Sequence, residues 1–201
     1  PEGVVVPVIA RGSKVGANII PDERVQAIMF TGSTETGTWI SQKLAERSGD
    51  PVPLIAETGG QNCMIVDSTA LPEQVVDDVI ASGFQSAGQR CSALRVLFLQ
   101  EDIADNVIRM IKGALSELKI GDPALLSTDV GPVIDGKALK SLTSHVEEMK
   151  GKAELLFECE LGDECNNGTF FAPRLYEIDS IQRLEREIFG PCVHVIRFKA
   201  D

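Results

Sequence analysis

The sequence predicts an α/β protein built from packed layers in which the sheets are mainly parallel. Short β-branched segments alternate along the chain with segments whose apolar residues recur every three or four positions. Clusters of Gly and Pro separate most of these segments, as expected for turns between strands and helices. With 201 residues, 43% of them hydrophobic, the chain is long enough for one large domain or two small ones.

The first part of the chain is predicted to hold three strands and one helix. The strand candidates are residues 4–9, 25–30 and 53–56. Residues 34–47 form the helix candidate, because Trp39, Ile40 and Leu44 fall on one stripe of a helix. A domain boundary is predicted near Gly59-Gly60, where these strand–loop–helix units give way to a helix-rich segment.

The second part is predicted to combine further strands with three amphipathic helices. The strand candidates are residues 63–66, 94–99, 154–159, 169–171 and 193–198. The clearest helix begins near Pro72, a residue that suits the first turn, and ends at Gly88. Two more helices carry their apolar stripes over residues 103–118 and 139–149.

Composition and charge exclude several classes of protein. The 30 acidic residues outnumber the 19 basic ones, and no Lys/Arg run exceeds two residues, so nucleic-acid binding is not expected. No apolar stretch approaches the roughly 18 residues of a membrane span, and no signal peptide is visible, so we expect a cytoplasmic protein. The chain begins at Pro1 and stops at Asp201 directly after an apolar run, which indicates a fragment.

The cysteines and histidines favour free thiols over a disulfide framework or a metal site. The five cysteines are odd in number and scattered along the chain: Cys63, Cys91, Cys159, Cys165 and Cys192. The two histidines, His145 and His194, are far apart in the sequence and are each more simply structural. No metal is therefore expected.

Two segments in the first part could carry chemistry. Gly32 and Ser33 follow a strand and open a helix, where free N–H groups and the helix dipole suit a pyrophosphate; an ordinary capped helix start is the alternative. Glu57 ends an apolar strand, at the sheet edge where α/β proteins bind ligands. Partial burial there would raise the pKa of its carboxyl towards the range of a general base, whereas a solvated loop glutamate is the alternative.

Two further segments lie in the second part. Cys91 follows a long helix in polar, glycine-containing surroundings next to Arg90, which favours a reactive thiolate; a small buried hydrophobe is the alternative. The segment from Glu187 to Pro191 reads as a turn after a charged helix. A cysteine hydrolase would need His145 or His194 as its base, and neither is well suited.

Taken together and in this order, the four segments resemble the NAD(P)-dependent aldehyde dehydrogenase superfamily. They read Phe30-Thr31-Gly32-Ser33, Glu57-Thr58-Gly59-Gly60, Gly88-Gln89-Arg90-Cys91 and Glu187-Ile188-Phe189-Gly190-Pro191. The stretches Ala56-Glu57-Thr58-Gly59-Gly60-Gln61-Asn62 and Gln89-Arg90-Cys91-Ser92-Ala93-Leu94-Arg95 look most like the branch that oxidises glutamate semialdehyde. That branch is pyrroline-5-carboxylate dehydrogenase, including the dehydrogenase domain of bifunctional proline utilisation A proteins.

The resemblance implies a fold and a division of labour. The fold would be aldehyde dehydrogenase-like, with Rossmann-type layers and mainly parallel sheets, truncated at both ends. Residues 1–59 would be the C-terminal part of the NAD-binding domain, and residues 60–201 the nucleophile-bearing catalytic domain. Cys91 would attack the aldehyde and pass through a thiohemiacetal and a thioester, and Glu57 would activate the water that hydrolyses the thioester.

The resemblance also implies binding roles. Gly32 and Ser33 would hold the NAD pyrophosphate, and the backbone of Thr58 would face the nicotinamide carboxamide. Glu187 would bind a ribose hydroxyl, and Phe189 would pack beside the nicotinamide ring. Ser92 would touch the carboxylate of the aldehyde substrate. FAD would be bound only if the parent chain also contains a proline dehydrogenase domain. The parent protein is expected to be a homo-oligomer.

Two departures and two alternatives accompany the resemblance. Thr58 stands where Leu is commoner, which fits the glutamate semialdehyde branch, and Cys192 stands where Val is usual. The oxyanion-hole Asn and the ribose-binding Lys are expected upstream of Pro1, so the isolated fragment should be nearly inactive. The alternatives are a dehydrogenase for another semialdehyde and a non-catalytic scaffold of the same fold.

Overall fold

The computed structural model describes residues 3–200 and divides the chain into two compact units. The division falls at the Gly59–Gly60 junction. Each unit contains its own sheet, one of two strands and one of five. Among residues 3–200, no helix has the length and apolar character needed to cross a bilayer.

The first unit places two helices beside a parallel pair of strands. Its elements are α1 (Gly12–Ile19), β1 (Ile28–Thr31), α2 (Thr34–Ala45) and β2 (Leu54–Glu57). The register sets Ile28 opposite Leu54 and Thr31 opposite Glu57, so both strands end at the same edge. The Ser33 hydroxyl accepts a hydrogen bond from the Thr36 N–H and caps α2, which confirms the predicted helix over 34–47.

Two expectations for the first unit are wrong or incomplete. Residues 4–9 form no strand, because no described segment pairs with them and Pro7 offers no N–H to a ladder; Val5 and Ile9 are largely exposed. Conversely, α1 was not predicted from the pattern of apolar residues. Its eight residues include Gly12 and Gly16, which disfavour a helix, and only two large apolar residues, Val15 and Ile19; none of the eight is buried.

The second unit is built on a five-stranded sheet in the order β3-β4-β7-β6-β5. The strands are β3 (Cys63–Val66), β4 (Val96–Gln100), β5 (Glu154–Glu158), β6 (Arg174–Glu177) and β7 (Cys192–Phe198). Every neighbouring pair is parallel except β5 and β6. The predicted α/β fold with mainly parallel sheets is therefore confirmed.

Three helices pack their apolar faces around the two central strands β4 and β7. They are α3 (Pro72–Gly83), α4 (Glu101–Ser116) and α5 (Gly136–Met149). Val79 of α3, Ile111 of α4, Leu97 of β4 and Val193 of β7 are fully buried in one cluster. Pro72 lies in the first turn of α3 as predicted, since the missing N–H has no helical acceptor there.

The end of α3 and the approach to β6 differ from the predictions. The helix ends at Gly83 rather than Gly88, because Ser86 and Ala87 adopt left-handed backbone angles with φ of 55° and 51°. Residues 169–171 form no strand, and the strand follows at Arg174 instead. The predicted charged helix before Glu187 is a single 3-10 turn, Ile181–Arg183.

Candidate active site

Cys91 lies on the surface of the second unit, in the loop between the left-handed turn and β4. The Asn62 side-chain amide fixes this loop by donating to the carbonyls of Cys91, at 2.6 Å, and Ala93, at 3.0 Å. Within residues 3–200, the backbone N–H of Cys91 has no acceptor. The loop therefore presents an exposed thiol beside a free N–H donor, which can stabilise the oxyanion that forms when a carbonyl carbon bonds to that sulfur.

A glycine contact brings the Cys91 loop against the segment from Glu187 to Pro191. Gly88 has a left-handed φ of 63°, and a Cβ on it would collide with the carbonyl of Gly190. Only glycine satisfies both the backbone angle and this close approach. The structure thus places two of the motif segments in direct contact, although their sequence positions are far apart.

Arg95, at the start of β4, joins the same two segments from inside the protein. Its side chain is 1% exposed. The guanidinium donates to the carbonyls of Gly88, at 2.7 Å, and Arg90, at 3.1 Å, and forms an ion pair with Glu187 at 3.0 Å. Burial lowers the pKa of Arg95, and the hydrogen bond to Glu187 opposes that shift.

Arg95 is the last residue of the motif stretch from Gln89, but the sequence assigns it no role. The available signal was the position of an arginine at the head of an apolar, β-branched strand, Leu94-Arg95-Val96-Leu97-Phe98-Leu99. A charged residue in such a strand must find partners, because an unpaired buried charge is costly. What those partners are depends on loops that are distant in sequence.

The remaining predicted residues of the second unit lie around this region. Glu187 is mostly shielded, with a side chain 18% exposed, and it accepts from Arg95 through Oε1. The ring of Phe189 is 43% exposed and lies beneath the Arg95 guanidinium, 5.2 Å from it. Ser92 is exposed next to Cys91. A carboxylate and an aromatic face are thus held in one segment, as a ribose and a nicotinamide ring would require.

In the first unit, the structure brings together four predicted residues at the carboxyl edge of its sheet. The Gly32 N–H donates to the Glu57 carbonyl at 3.1 Å, and Ser33 caps the helix that begins there. Thr58 packs against the first turn of that helix: a Cβ on Gly37 would lie 3.0 Å from its methyl group. The side chain of Glu57 is exposed. This edge offers helix N–H groups to a phosphate and a carboxylate to a water molecule.

The two histidines are neighbours in the structure, contrary to their distance in the sequence. The Nε2 atoms of His145 on α5 and His194 on β7 are 2.9 Å apart and share a hydrogen bond. The Cys192 Sγ atom lies 3.8 Å from Nε2 of His194. The Arg95 carbonyl accepts from Nδ1 of His194, so Nε2 of His194 is the acceptor in the pair. The ring of Tyr176 stacks on His194.

Burial sets the protonation of this cluster, which comprises His145, Cys192 and His194. It lowers the pKa of His145 to about 4 and that of His194 to about 3. It also raises the pKa of the Cys192 thiol to about 12. The cluster is therefore uncharged at neutral pH. The three donor atoms lie within 4.8 Å of one another, and our expectation that the protein holds no metal stays a prediction.

All five cysteines are free thiols, as predicted, but the sequence around a cysteine does not always predict whether it is exposed. Cys63 and Cys91 are exposed, while Cys159, Cys165 and Cys192 are buried. An apolar strand predicts burial for Cys63, yet its side chain points away from the core of the unit. Exposure alone therefore does not distinguish Cys91; its loop and free N–H do.

These features agree with the outcome of comparison with known proteins. The whole chain, residues 1–201, matches the aldehyde dehydrogenase family, and the protein belongs to that family. It is 50% identical to the bifunctional protein PutA of Klebsiella aerogenes, over 100% of this chain and 16% of the relative. It is 34% identical to a 1-pyrroline-5-carboxylate dehydrogenase of a Geobacillus species, over 99% of this chain and 39% of the relative.

Solved structures show the same relationship. A bifunctional proline utilization A protein superposes with a TM-score of 0.88 at 50% identity, over 93% of this chain and 19% of that one. A 1-pyrroline-5-carboxylate dehydrogenase from Thermus with bound NAD gives a TM-score of 0.85 at 30% identity, over 94% of this chain and 37% of that one. The chain spans about a sixth of the length of its PutA relatives.

Proposed function

We propose that this chain is part of an NAD-dependent dehydrogenase that oxidises glutamate semialdehyde, the open form of pyrroline-5-carboxylate, to glutamate in proline catabolism. The observation that carries the proposal is the Cys91 loop, in which an exposed thiol, a free N–H and a fixed backbone occur together. The substrate class is supported by relatives that are named PutA and 1-pyrroline-5-carboxylate dehydrogenase.

In the proposed reaction, the Cys91 thiolate attacks the aldehyde carbon, and a C–S bond forms as the carbonyl electron pair moves to oxygen. The Cys91 N–H donates to that oxyanion. NAD, when bound, supplies the two-electron oxidant that takes the Cys91 adduct to the thioester level. Glu57 then removes a proton from water, a C–O bond forms, and the C–S bond breaks to release glutamate and restore the thiolate.

Each unit, taken by itself, contains residues that fit particular groups of NAD. Ser33 and Gly32 occupy an exposed helix N-terminus suited to the pyrophosphate, and the backbone of Thr58 follows directly after β2. Glu187 and Phe189 offer a carboxylate for ribose and an aromatic face for the nicotinamide ring. Ser92, exposed beside Cys91, is assigned to the carboxylate end of the substrate.

We test the proposal by measuring the iodoacetamide labelling rate of each cysteine, with and without NAD, by peptide mass spectrometry. Cys63 is the internal control because it is also an exposed free thiol. We expect Cys91 to react well ahead of Cys63 and NAD to change only the Cys91 rate. Equal rates at both sites, unaffected by NAD, would contradict the proposal.

Turnover by the full-length protein then identifies the substrate. Glutamate semialdehyde should be oxidised faster than succinate semialdehyde, and Cys91→Ala should abolish both reactions. The opposite preference would assign the chain to another semialdehyde dehydrogenase. If the unmodified protein is as inactive on both aldehydes as Cys91→Ala, the fold is a non-catalytic scaffold.

The whole protein is further proposed to act in the cytoplasm as a homo-oligomer. FAD is proposed only if a proline dehydrogenase domain accompanies this sequence, as the name of the bifunctional relatives suggests. The number of flavins per chain, measured by absorbance of the purified full-length protein, decides that point.

A further inference from the structure

We propose that Arg95 is a positioning residue that locks the Cys91 loop to the segment from Glu187 to Pro191. Through this lock, the reactivity of the nucleophile and the contact to the cofactor ribose are set together. The inference rests on the proposed function, which assigns the ribose contact to Glu187. It adds a residue that touches neither substrate nor cofactor but holds the groups that do.

The first argument is that every nitrogen of the guanidinium is used, and each of its two ends reaches both segments. Nη1 donates to the Gly88 carbonyl at 2.7 Å and to the Gly190 carbonyl at 3.3 Å. Nη2 donates to the Arg90 carbonyl at 3.1 Å and to Glu187 at 3.0 Å. If either segment moved away from the other, it would lose hydrogen bonds that Arg95 donates to it.

The second argument concerns the orientation of Glu187. Both hydrogen bonds from Arg95, from Nε at 3.2 Å and from Nη2 at 3.0 Å, fall on Oε1. Within residues 3–200, Oε2 of Glu187 has no partner. The fork of Arg95 therefore fixes the orientation of the carboxylate and leaves its second oxygen available to accept a hydrogen bond, which is what a ribose hydroxyl needs.

The third argument is that no other cation fits this place. Lysine has a single nitrogen with three N–H donors and could replace at most one end of the fork, whereas the planar guanidinium makes five hydrogen bonds from three nitrogens. The same group also lies over the Phe189 ring at 5.2 Å, a contact that favours arginine. Arg95 thus orients both side chains that are proposed to contact NAD in this unit.

The experiment compares Arg95→Lys with Arg197→Lys in the full-length protein. Arg197 is a matched control because it is a partly buried arginine with two ion pairs, to Asp105 and Glu177, outside the proposed site. The readouts are the Cys91 labelling rate without NAD, the change that NAD causes in that rate, and the KM for NAD against kcat. Thermal unfolding of each variant is followed in parallel.

For Arg95→Lys we expect an altered Cys91 labelling rate, a lost response to NAD, and a kcat/KM lower by about 100-fold, because small displacements of reacting groups carry penalties of that order. Arg197→Lys should keep all three values of the unmodified protein. If both variants lose thermal stability equally and Arg95→Lys keeps its Cys91 rate and its KM for NAD, Arg95 is merely structural and the inference is overturned.

A second variant keeps the inference testable if Arg95→Lys does not fold. Glu187→Gln removes the charge that pairs with Arg95 but keeps an oxygen that can accept from it, so this variant weakens the lock without removing Arg95. We expect the Cys91 labelling rate without NAD to change and the KM for NAD to rise. If the unmodified protein shows no NAD effect, the proposed function fails, and the Cys91 rates without NAD still test whether Arg95 fixes the loop. A Glu187→Gln variant whose Cys91 rate without NAD equals that of the unmodified protein would overturn the inference.

Discussion

The second unit contains two buried polar clusters that meet at Arg95 and differ in charge: one holds an ionised side chain, and the other is neutral. The Arg95 side chain keeps its charge and surrounds it with Glu187 and backbone carbonyls. The Arg95 carbonyl, in contrast, accepts from His194, whose cluster with His145 and Cys192 has given up its charge. A buried group stays ionised only where the fold supplies enough partners, and otherwise it titrates to the neutral form.

The largest effect is expected from removing the charged side of this comparison. Arg95→Met keeps the length of the side chain but leaves Glu187 and the loop carbonyls without a donor. We expect the free energy of unfolding to fall by about 3 kcal/mol, the cost of breaking a buried ion pair from one side. Urea denaturation measures this free energy. If Arg95→Met loses no more stability than Arg197→Met, then Glu187 and the loop carbonyls are hydrated when Arg95 is removed, and the prediction is wrong.

The neutral side of the comparison should be sensitive to acid. The folded protein holds the pKa of His145 near about 4 and that of His194 near about 3, below the ordinary value of 6.5. The unfolded chain therefore binds more protons below pH 6.5. Stability is full above that pH and is lost as the pH falls towards the folded pKa values, by about 2 kcal/mol at about pH 5.8.

The acid effect is checked by urea denaturation at a series of pH values between 7.5 and about 4. His194→Gln is the matched variant, because an amide keeps hydrogen-bonding capacity but does not titrate. Its stability should depend less steeply on pH than that of the unmodified protein. The same slope in both proteins would show that the pair does not govern acid sensitivity.

The smallest effect is expected at the thiol of the neutral cluster. Cys192→Val exchanges one small apolar side chain for another in a fully buried position, so the free energy of unfolding should change by less than about 1.5 kcal/mol. The dependence on pH should not change, because the thiol stays protonated. A larger loss, or a new pH slope, would give the sulfur a role in the histidine pair.

The sequence was sufficient for elements with a clear apolar period. β3 follows its predicted bounds, α3 begins at Pro72 as predicted, and the mainly parallel pairing is confirmed. α1 has a weak sequence signal because Gly12 and Gly16 disfavour a helix, and residues 4–9 form no strand because β-branched residues favour strands only where a partner exists. Local composition carries no information about such partners.

The same distinction applies to the candidate site. The motif order could point to Cys91 and Glu187 because each carries its chemistry in its own side chain. Arg95 and the histidine pair could not be assigned, because their roles consist of contacts between distant elements. His145 and His194 are 49 residues apart and meet only because α5 packs against β7. The sequence predicts only that each is structural, because their spacing gives no sign of this contact.

One bond in the first unit offers a reporter of a different kind. The Gly32 N–H continues the β1–β2 ladder by donating to the Glu57 carbonyl, so this amide is protected by the residue proposed as the general base. Its hydrogen–deuterium exchange rate therefore measures how often the end of β2 opens. Followed by NMR or mass spectrometry, a single glycine amide would report the order of that strand end without any need for turnover.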